Sequence, residues 1–576
     1  GRQLMRRLFS CALAILVLLA PLSARASAPK AARQAADLVF RNGAVYTLDA
    51  ARTWAEAVAV SRGRIVYVGT NSGVRAWIGP RTAVVDLRGR MLMPSFHDSH
   101  VHPVTSGVEL GECQLHELTT AEQILDAVRR FAAENPQKTW IRGSGWQLPL
   151  FADANPHKSL LDKVVRDRPV LLYAADGHSA WANSRALEVA KITKATPDPV
   201  AGRIERDPQT GEPTGTLRES AMALVSKYLP DYAPADYLAG LRRALEMANR
   251  FGITSLQDAD ADEAALTAYA ELDRRGELTA RVVAALHVEP SKGAAQIPHL
   301  IELRRTYRGR RLRATAAKIF ADGVIEARTA ALLEPYLGTD GDRGKANVEP
   351  DVFNPLVAAL DREGFQVHVH AIGDRAIRNA LDAFEFARAR NGSRDSRHHI
   401  AHIELFSPQD IPRFRRLGVV ANFQPLWAFA DPYIVKLTMP VLGPERSRWL
   451  YPIRSLAASG AVVACGSDWS VTSMNPLEAI QVAVTRRAPE AGQGAAWIPE
   501  EAADLAEVLA GYTINGAYVN FEERETGSIE TGKAADLIVL DRNLFEVPAH
   551  EIHRAKVLLT LLEGKAVYRD ASFIFR

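Results

Sequence analysis

The stretch FHDSHVHP, residues 96–103, places three histidines and an aspartate directly after the apolar residues MLMPSF, where a buried strand is expected to end. Side chains at positions i and i+2 of a strand share a face, so Asp98, His100 and His102 are predicted to point one way and His97 the other. Two imidazoles with this spacing can bind one metal ion, although the HxH pattern is common and indicates little by itself.

Around this stretch, apolar strands alternate with amphipathic helices, which is the pattern of βα units and a parallel sheet. Eight candidate strands follow one another at residues 91–98, 252–259, 280–288, 313–322, 365–373, 398–405, 419–425 and 461–468. Eight is the number of strands that closes a TIM-like barrel. We therefore predict an α/β fold, with a (β/α)8 TIM-like barrel over residues 91–475 and C-terminal barrel helices over 476–520.

Two parts of the chain do not fit the barrel pattern. Residues 103–250 are too many for one connection and include the strand-like segments TWIRGSGW and PVLLYAAD. We interpret them as a large insertion after barrel strand 1 that covers the barrel mouth. Strand-like segments also fill both ends of the chain, over 27–90 and 521–576, and these are predicted to form a single small β-sandwich domain.

The first 26 residues have the features of a secretory signal peptide. Arg6 and Arg7 precede the apolar run LFSCALAILVLLA, and small residues at Ala24 and Ala26 suit cleavage after Ala26. A membrane anchor is the alternative, but the run is shorter than the ~20 residues that a spanning helix needs. We therefore expect a periplasmic or secreted protein that has no membrane association after the signal is removed.

Charge and cysteine content exclude two further classes. Removal of residues 1–26 changes the formal net charge from +3 to −1, and a nearly neutral chain lacks the basic surface that nucleic-acid binding requires. Cys113 and Cys465 remain, and two buried free thiols are favoured over a disulfide between them. The sequence does not decide the oligomeric state, for which a homodimer is one option.

Further residues of the metal-binding type fall at the ends of later strands, where barrel enzymes build their active sites. His370 ends the run QVHVHA, His402 is the outermost histidine of HHIAHIEL, and Asp468 ends AVVACGSD. A carboxylate at the end of an apolar strand needs a partner, although Asp468 taken alone could equally be a helix N-cap. Together, these residues and the HxH motif predict a divalent-metal site.

Other histidines and one aspartate have simpler interpretations. His368 lies on the same face as His370 but deeper, and is interpreted as a core histidine. His398 and His399 are expected at the entrance of their strand. Asp374 either orients a histidine from behind the ligands or caps a helix, and the sequence favours neither.

Lys318 is unusual because it lies in the strand-like segment ATAAKIFADGV, with apolar neighbours on both sides. A buried ammonium group is costly unless it is paired or chemically altered. A salt bridge to Asp322 or Glu326 is the simple explanation.

Several segments occur in an order that resembles one family: PSFHDSHVHP, KIFADGVIEARTAAL, VHVHAIGDRAI, AHIE, GSDWSV and TGSIETGKAADLIVLD. From about residue 37 to the C-terminus, the chain resembles the amidohydrolase superfamily of metal-dependent hydrolases, and within it the YtcJ-like group that includes N-substituted formamide deformylase. The resemblance implies metal ligands on strands one, five, six and eight, namely His100, His102, His370, His402 and Asp468. It also implies that Lys318 is carbamylated and bridges two ions. Zinc is the expected metal, and the number of bound ions is either one or two.

The resemblance extends to residues near the substrate. The segment DGHSAWANSRAL is similar to the insertion motif of the YtcJ-like group, which implies that His178 and Asn183 face the substrate. Arg328 and Asp374, in two of the matching segments, are expected at the substrate or directly behind the ligands. His97 is a departure, because relatives often have an aliphatic residue there.

These residues predict hydrolysis of a small-molecule substrate at a non-peptide C–N bond in an amide, N-acyl or cyclic amide. A metal ion would lower the pKa of bound water from 15.7 towards about 7, and Asp468, as ligand and base, would pass the proton to the departing nitrogen. An ester or phosphoester hydrolase of the same fold is one alternative. A non-catalytic, secreted metal-binding or regulatory protein is another, but it would not need Asp468 as a proton carrier.

Overall fold

The computed structural model describes residues 35–573. The predicted signal peptide, residues 1–26, and the first residues of the predicted small domain lie outside this range. Between residues 35 and 573, no helix has both the length and the apolar character needed to cross a membrane.

An eight-stranded parallel sheet forms the centre of the molecule, and we number its strands in chain order. They are β1 Phe96–Val101, β2 Ile253–Ala261, β3 Arg281–His287, β4 Leu312–Phe320, β5 Gln366–Ala371, β6 His399–His402, β7 Val420–Phe423 and β8 Val463–Cys465. Each strand pairs with the next one along the chain. Nearly all residues of these strands are buried, because helices and the other sheets cover them. The predicted TIM-like barrel is confirmed.

The barrel helices follow these strands. They are Glu263–Arg275, Ile297–Thr306, Pro350–Arg362, Asp374–Asn391, Ile411–Leu417, Met439–Leu442, Pro444–Ser447, Ile453–Ala458, Pro476–Thr485, Leu505–Gly511 and Ile514–Val519. A π-helical turn, Ile434–Thr438, precedes the helix that begins at Met439. Their apolar faces pack on the strands and form one large core with them.

The barrel closes where the end of β8 meets β1. The backbone N–H of Asp468 donates to the carbonyl of His100 at 2.8 Å. The buried carboxylate of Asp98 accepts the N–H of Ser467 at 2.9 Å. Gly466 permits this approach, because a Cβ atom at this position would lie 2.5 Å from the backbone nitrogen of His100.

Residues 91–98, predicted as one strand, belong to two different sheets. Met91–Pro94 pairs with strands of the small domain, whereas β1 begins at Phe96. The break lies at Ser95, whose N–H donates to the backbone carbonyl of Asp536 at 3.0 Å. The strand prediction is therefore wrong in its bounds, and the barrel strand extends further towards the histidines than expected.

Between β1 and β2 the chain forms a separate six-stranded sheet. In order of pairing, its strands are Gly202–Arg206, Pro213–Glu219, Ser179–Ala182, Val170–Ala174, Ile141–Trp146 and Cys113–Gln114. Its helices are Ala121–Glu134, Lys158–Asp162, Ser184–Val189 and Ala223–Ser226. Two further helices, Pro103–Glu109 and Pro234–Arg250, pack against each other beside the barrel, where Gly107 closely approaches Gly240.

Two sheets near the ends of the chain form the small domain. One contains Arg64–Gly69, Ala57–Ser61, Leu38–Arg41 and Ala83–Asp86; the other contains Lys565–Arg569, Val557–Leu562, Leu537–Leu540, Met91–Pro94, Ala44–Tyr46 and Trp54–Ala55. A short helix, Asn71–Val74, joins the first sheet. Phe40 of the first sheet and Leu92 and Val539 of the second share one buried core. The predicted β-sandwich built from both ends of the chain is therefore confirmed.

The two cysteines of the described chain are both free and buried, as expected from the sequence. Cys113 lies in the six-stranded sheet and Cys465 ends β8. Burial raises the pKa of the Cys113 thiol to about 12. Both thiols are therefore packing groups, and the fold is organised without a disulfide.

Candidate metal centre

The five predicted histidine and aspartate ligands meet at the C-terminal ends of the barrel strands. One carboxylate oxygen of Asp468 lies 3.4 Å from His100 Nε2 and 3.2 Å from His102 Nε2. Its other oxygen lies 3.9 Å from His402 Nδ1, and the ring centroid of His370 lies 4.6 Å from that of His402. His100, His102 and Asp468 each offer a ligand atom within 4.8 Å of the others, which is the spacing of a metal site.

Hydrogen bonds orient two of these rings. His402 Nδ1 donates to the side-chain oxygen of Gln424 at 2.7 Å, and His370 Nε2 donates to the carbonyl of Gly323 at 3.3 Å. The partner oxygens can only accept, so each of these ring nitrogens must hold the proton. The other nitrogen of each ring is left with a free lone pair, which is the form that binds a metal ion.

Burial sets the charge of the ligands. It lowers the pKa of His100, His370 and His402 well below the usual value, so these imidazoles are neutral near neutral pH. Burial disfavours the charged form of Asp468 as well, but the neighbouring imidazoles of His100 and His102 outweigh it and hold the pKa of this carboxyl well below its usual range. These neutral imidazoles and the ionised carboxylate are in the states that a divalent ion requires; burial also lowers the pKa of His102, but Asp468 outweighs it and raises that pKa, so His102 would release its proton to bind an ion.

Two of the ligands have an unusual backbone conformation. His402 has a φ angle of 80° and Asp468 a φ angle of 52°. Residues other than glycine rarely adopt positive φ, and such strained conformations persist where the surrounding structure holds them, often at functional sites. His402 is the last residue of β6 and Asp468 lies three residues beyond β8, so the backbone turns away from the strand direction at both positions and brings the side chain into the group of ligands.

Lys318, on β4, lines the same cavity as these ligands and is fully buried. Its Nζ atom has no hydrogen-bond partner among residues 35–573, and it lies 4.6 Å from the ring centroid of Phe320. The simple explanation from the sequence, a salt bridge, is wrong: Asp322 accepts backbone N–H groups instead, and Glu326 accepts the hydroxyl of Thr438. Burial lowers the pKa of Lys318 to about 8.

His368 supports the ligands in a way that the sequence analysis missed. It is buried, as expected for a core histidine, but its Nε2 atom lies 2.8 Å from Nδ1 of His100. His368 therefore fixes the ring of a ligand from behind. The alternation in QVHVHA, which puts His368 and His370 on one face, was the available signal.

Of the four residues expected near the substrate, His178 is the one that lies beside the ligands. Its ring centroid is 4.9 Å from that of His370, and its Nδ1 atom lies 2.8 Å from a carboxylate oxygen of Glu219. Burial lowers the pKa of His178, but the interaction with Glu219 outweighs it and raises the pKa to about 9. His178 therefore contributes a positive charge to the site.

Asn183 and Arg328 are not where the sequence analysis expected them, and Asp374, for which two roles were left open, forms no hydrogen bond with a histidine among the described residues. The side chain of Asn183 caps the helix Ser184–Val189, and that of Asp374 accepts the backbone N–H of Leu333 instead of orienting a histidine. Arg328 is exposed in a turn and lines neither of the cavities described below. The same residue types serve as caps and as site residues, so a motif alone could not separate the two roles.

The ligands line a cavity of about 680 Å³ between the barrel and the six-stranded sheet. Lys318 and the five ligands form its floor, and Arg142, Tyr173 and His178 of the inserted segment form part of the opposite wall. The insertion therefore covers part of the barrel mouth and forms a wall opposite the ligands.

A smaller cavity of about 190 Å³ adjoins the ligands, and we call it the side pocket. It shares His178, His370, His402 and Asp468 with the larger cavity. Its remaining lining combines aromatic rings with carboxyl groups: Trp427, Tyr433, Tyr451, Asp176, Glu326, Glu404 and Asp431. Trp427 stacks on the ligand His402, with ring centroids 5.3 Å apart and an angle of 3° between the ring planes.

Comparison with known proteins agrees with this geometry. The model of the amidohydrolase family matches residues 83–568. The chain belongs to the amidohydrolase family. The resemblance found in the sequence is therefore confirmed, and the protein is a hydrolase of this family with a candidate metal site at the expected end of its barrel.

Relatives of this amidohydrolase cover nearly its whole length. Protein LONG AFTER FAR-RED 3 of Arabidopsis thaliana is 32% identical over 543 residues, which is 92% of each chain. N-substituted formamide deformylase of Arthrobacter pascens is 30% identical over 556 residues, covering 93% of this chain and 99% of that protein. The crystal structure of an uncharacterized metal-dependent hydrolase from Pyrococcus horikoshii is similar with a TM-score of 0.70 and 26% identity, covering 89% of this chain and 99% of that one.

Proposed function

We propose that the protein hydrolyses a non-peptide C–N bond in an amide, N-acyl or cyclic amide substrate, using a divalent metal ion. Zinc is the metal that we favour. The surroundings of the Asp468 carboxylate are the main observation that supports this proposal. Its Oδ1 atom is buried and has no hydrogen-bond partner in the described part of the chain, although two imidazole nitrogens lie 3.2 and 3.4 Å away. Two imidazoles and one carboxylate that converge in this way, with no hydrogen bond formed among these three atoms, are a donor set that fits a divalent metal ion.

When bound at these residues, a divalent ion lowers the pKa of a water molecule and polarises the substrate carbonyl. Asp468 takes the proton from water during attack on the carbonyl carbon. It then returns that proton to the departing nitrogen, which is otherwise a poor leaving group. His178, charged through its pairing with Glu219, donates a hydrogen bond to the carbonyl oxygen as negative charge develops there.

Lys318 is proposed to be carbamylated. Its neutral amine attacks carbon dioxide, an N–C bond forms as one C=O π bond opens, and the proton released from the nitrogen passes to water, so that a buried amine becomes a carbamate anion that would help to hold the metal. The buried Nζ atom without a hydrogen-bond partner among the described residues supports this change. With ¹³C-bicarbonate, a carbamate carbon resonance and a higher zinc content are expected; if neither appears, Lys318 is unmodified and the one-ion form remains.

We also propose that the protein acts in the periplasm or after secretion, because residues 1–26 have the features of a signal peptide. N-terminal sequencing of the exported protein is expected to begin at Ser27. A protein retained with its first 26 residues intact would contradict this location.

Substrate profiling of metal-loaded protein tests the function. Protein stripped by a chelator and reloaded with zinc is assayed on N-formyl and N-acetyl amines, cyclic amides, carboxylic esters and phosphoesters. Hydrolysis of the amides that depends on zinc is expected. Turnover of esters or phosphoesters alone would favour the other hydrolase reaction, and zinc binding without any turnover would favour a non-catalytic role.

A further inference from the structure

The side pocket contains acidic groups that the hydrolytic mechanism does not use. Asp176, Glu326, Glu404 and Asp431 line it together, and none of them forms an ion pair with a lysine or arginine anywhere in residues 35–573. Burying several carboxyl groups in one apolar cavity is unfavourable unless positive charge or hydrogen-bond donors compensate them. No lysine or arginine among the described residues lines this pocket, so a ligand that brings positive charge and hydrogen-bond donors would compensate these carboxyl groups.

Glu404 is the clearest example of a carboxyl group in the side pocket that lacks a compensating partner. It lies two residues beyond the ligand His402, is only 2% exposed, and its Oε1 atom has no hydrogen-bond partner within the range that the structure describes. The backbone around it is fixed, because the N–H of Tyr451 donates to the Glu404 carbonyl at 2.9 Å. A buried carboxyl oxygen without a partner costs the full desolvation penalty, so a donor that arrives with a ligand would be bound strongly.

Two other carboxyl groups of the pocket are held in position. Oε1 of Glu326 accepts the hydroxyl of Thr438 at 2.7 Å, and Oδ1 of Asp431 accepts the N–H of Ile434 at 2.8 Å. Both partners belong to the π-helical turn, a feature that is frequent at functional sites. The acidic groups are therefore built into the pocket and do not merely face solvent.

The aromatic walls favour the same ligand chemistry. Trp427, Tyr433 and Tyr451 line the pocket, and aromatic faces attract ammonium and related cations. A metal ion is a poor alternative occupant, because His100, His102 and Asp468 are the group of residues with metal-binding spacing that the described chain contains. An organic cation small enough for about 190 Å³ fits the pocket best.

We propose that the substrate carries a positively charged nitrogen group, an ammonium or amidinium, which binds in the side pocket while the C–N bond to be cleaved lies at the metal centre. Glu404 and Glu326 bind this group through charge-assisted hydrogen bonds, and Trp427 covers it. The inference rests on the proposed hydrolytic function, and it makes the substrate an N-acylated compound with a second, basic nitrogen.

Binding of a matched pair of probes tests the pocket without turnover. Calorimetry on the zinc-loaded, full-length protein compares benzylammonium with benzyl alcohol, which has the same shape and no charge. Benzylammonium is expected to bind at least about tenfold more tightly, since a hydrogen bond to a charged group contributes about 1.5–3 kcal/mol. Equal affinities would overturn the proposal.

Substitution of single carboxyl groups shows where benzylammonium binds. Glu404→Gln is expected to weaken benzylammonium binding about tenfold or more. Glu445→Gln, which removes an exposed carboxylate outside both cavities, is the control and is expected to bind benzylammonium like the wild type. Unchanged affinity in Glu404→Gln would overturn the assignment, and thermal unfolding of each variant shows that it is folded.

Measurements of turnover distinguish a failure of this inference from a failure of the proposed hydrolytic function. A mono-N-acetyl diaminoalkane and an N-acetyl alkylamine of equal length differ only in the terminal charge. A kcat/KM at least about tenfold higher for the charged amide is expected, and Glu404→Gln lowers this ratio. Equal rates would reject the cation pocket and keep the hydrolase. Selective benzylammonium binding without hydrolysis of either amide would reject the hydrolase and keep the pocket.

Discussion

Asp468 is proposed to act both as a metal ligand and as the base, and a single substitution can separate these two roles. Asp468→Asn keeps the shape and one ligand oxygen but cannot take up the proton, so kcat is expected to fall by about 10²–10⁴ while most of the zinc stays bound. Steady-state kinetics and zinc analysis of the same sample measure both effects. Asp340→Asn, at an exposed position, is the control. Turnover close to that of the wild type would assign the base to another residue.

His368 is expected to act on the metal through His100. His368→Phe removes the hydrogen bond to Nδ1 of His100, and loss of such a partner weakens metal binding about 10–100-fold. His368→Gln can still accept the proton of His100 and is expected to recover much of the affinity. Chelator competition measures the zinc affinity, with exposed His299→Gln as the control. Equal affinities in all variants would show that His368 only fills space.

The sequence predicts residues at strand ends better than residues that act through tertiary contacts. The proximity of His402 and Asp468 could be predicted because the ends of parallel strands meet at one edge of the barrel. Glu404 could not be identified, because its proposed role depends on the carboxyl groups around it, which lie in distant loops of the chain. Asn183 was misplaced because a helix cap and a substrate ligand look alike in a motif.

At the scale of elements, all eight barrel strands could be located from their apolar runs. The first and last residues of these strands could not be located from the sequence, as the break at Ser95 shows. The apolar run from Met91 onward is continuous, and which part joins which sheet depends on partners such as Leu537–Leu540, more than 400 residues away. Register and partner choice are set by tertiary packing, which a local pattern does not contain.

The contact between β8 and β1 is expected to be sensitive to any added side chain. Gly466→Ala would place a Cβ atom 2.5 Å from the His100 nitrogen and 3.0 Å from Asp98 Oδ1. Overpacking of this kind costs about 1–3 kcal/mol of the free energy of unfolding. Urea unfolding measures the loss. Gly276→Asn, at a helix end with nothing within 4 Å, is the control, and an equal effect in both variants would contradict the close contact.

At the scale of the whole molecule, the barrel supplies the ligands and the insertion supplies the opposite wall. The length of residues 103–250 was enough to predict an insertion. Which of its side chains point inward was not predictable, because this depends on how its sheet packs over the barrel. His178 and Tyr173 line the cavity, whereas Asn183, only five residues from His178, is fully buried in the inserted sheet.

Metal removal is expected to lower the stability of the folded protein, because the ligands come from four strands and meet only in the native state. Zinc at 100 times its dissociation constant stabilises the native state by about 2.7 kcal/mol. For a chain of this size the unfolding temperature should rise by about 2 °C or more when zinc is restored. Calorimetry of stripped and reloaded protein measures the shift, and identical unfolding temperatures would contradict a preformed site.

Anomalous diffraction at the zinc edge, from crystals of the zinc-loaded protein, tests the convergence of the ligands most directly. We expect a strong peak bounded by the imidazoles of His100 and His102 and the carboxylate of Asp468, within reach of His370 and His402. A second peak beside Lys318 would indicate the two-ion form. A peak elsewhere in the molecule, or none in zinc-saturated crystals, would contradict the proposed metal centre.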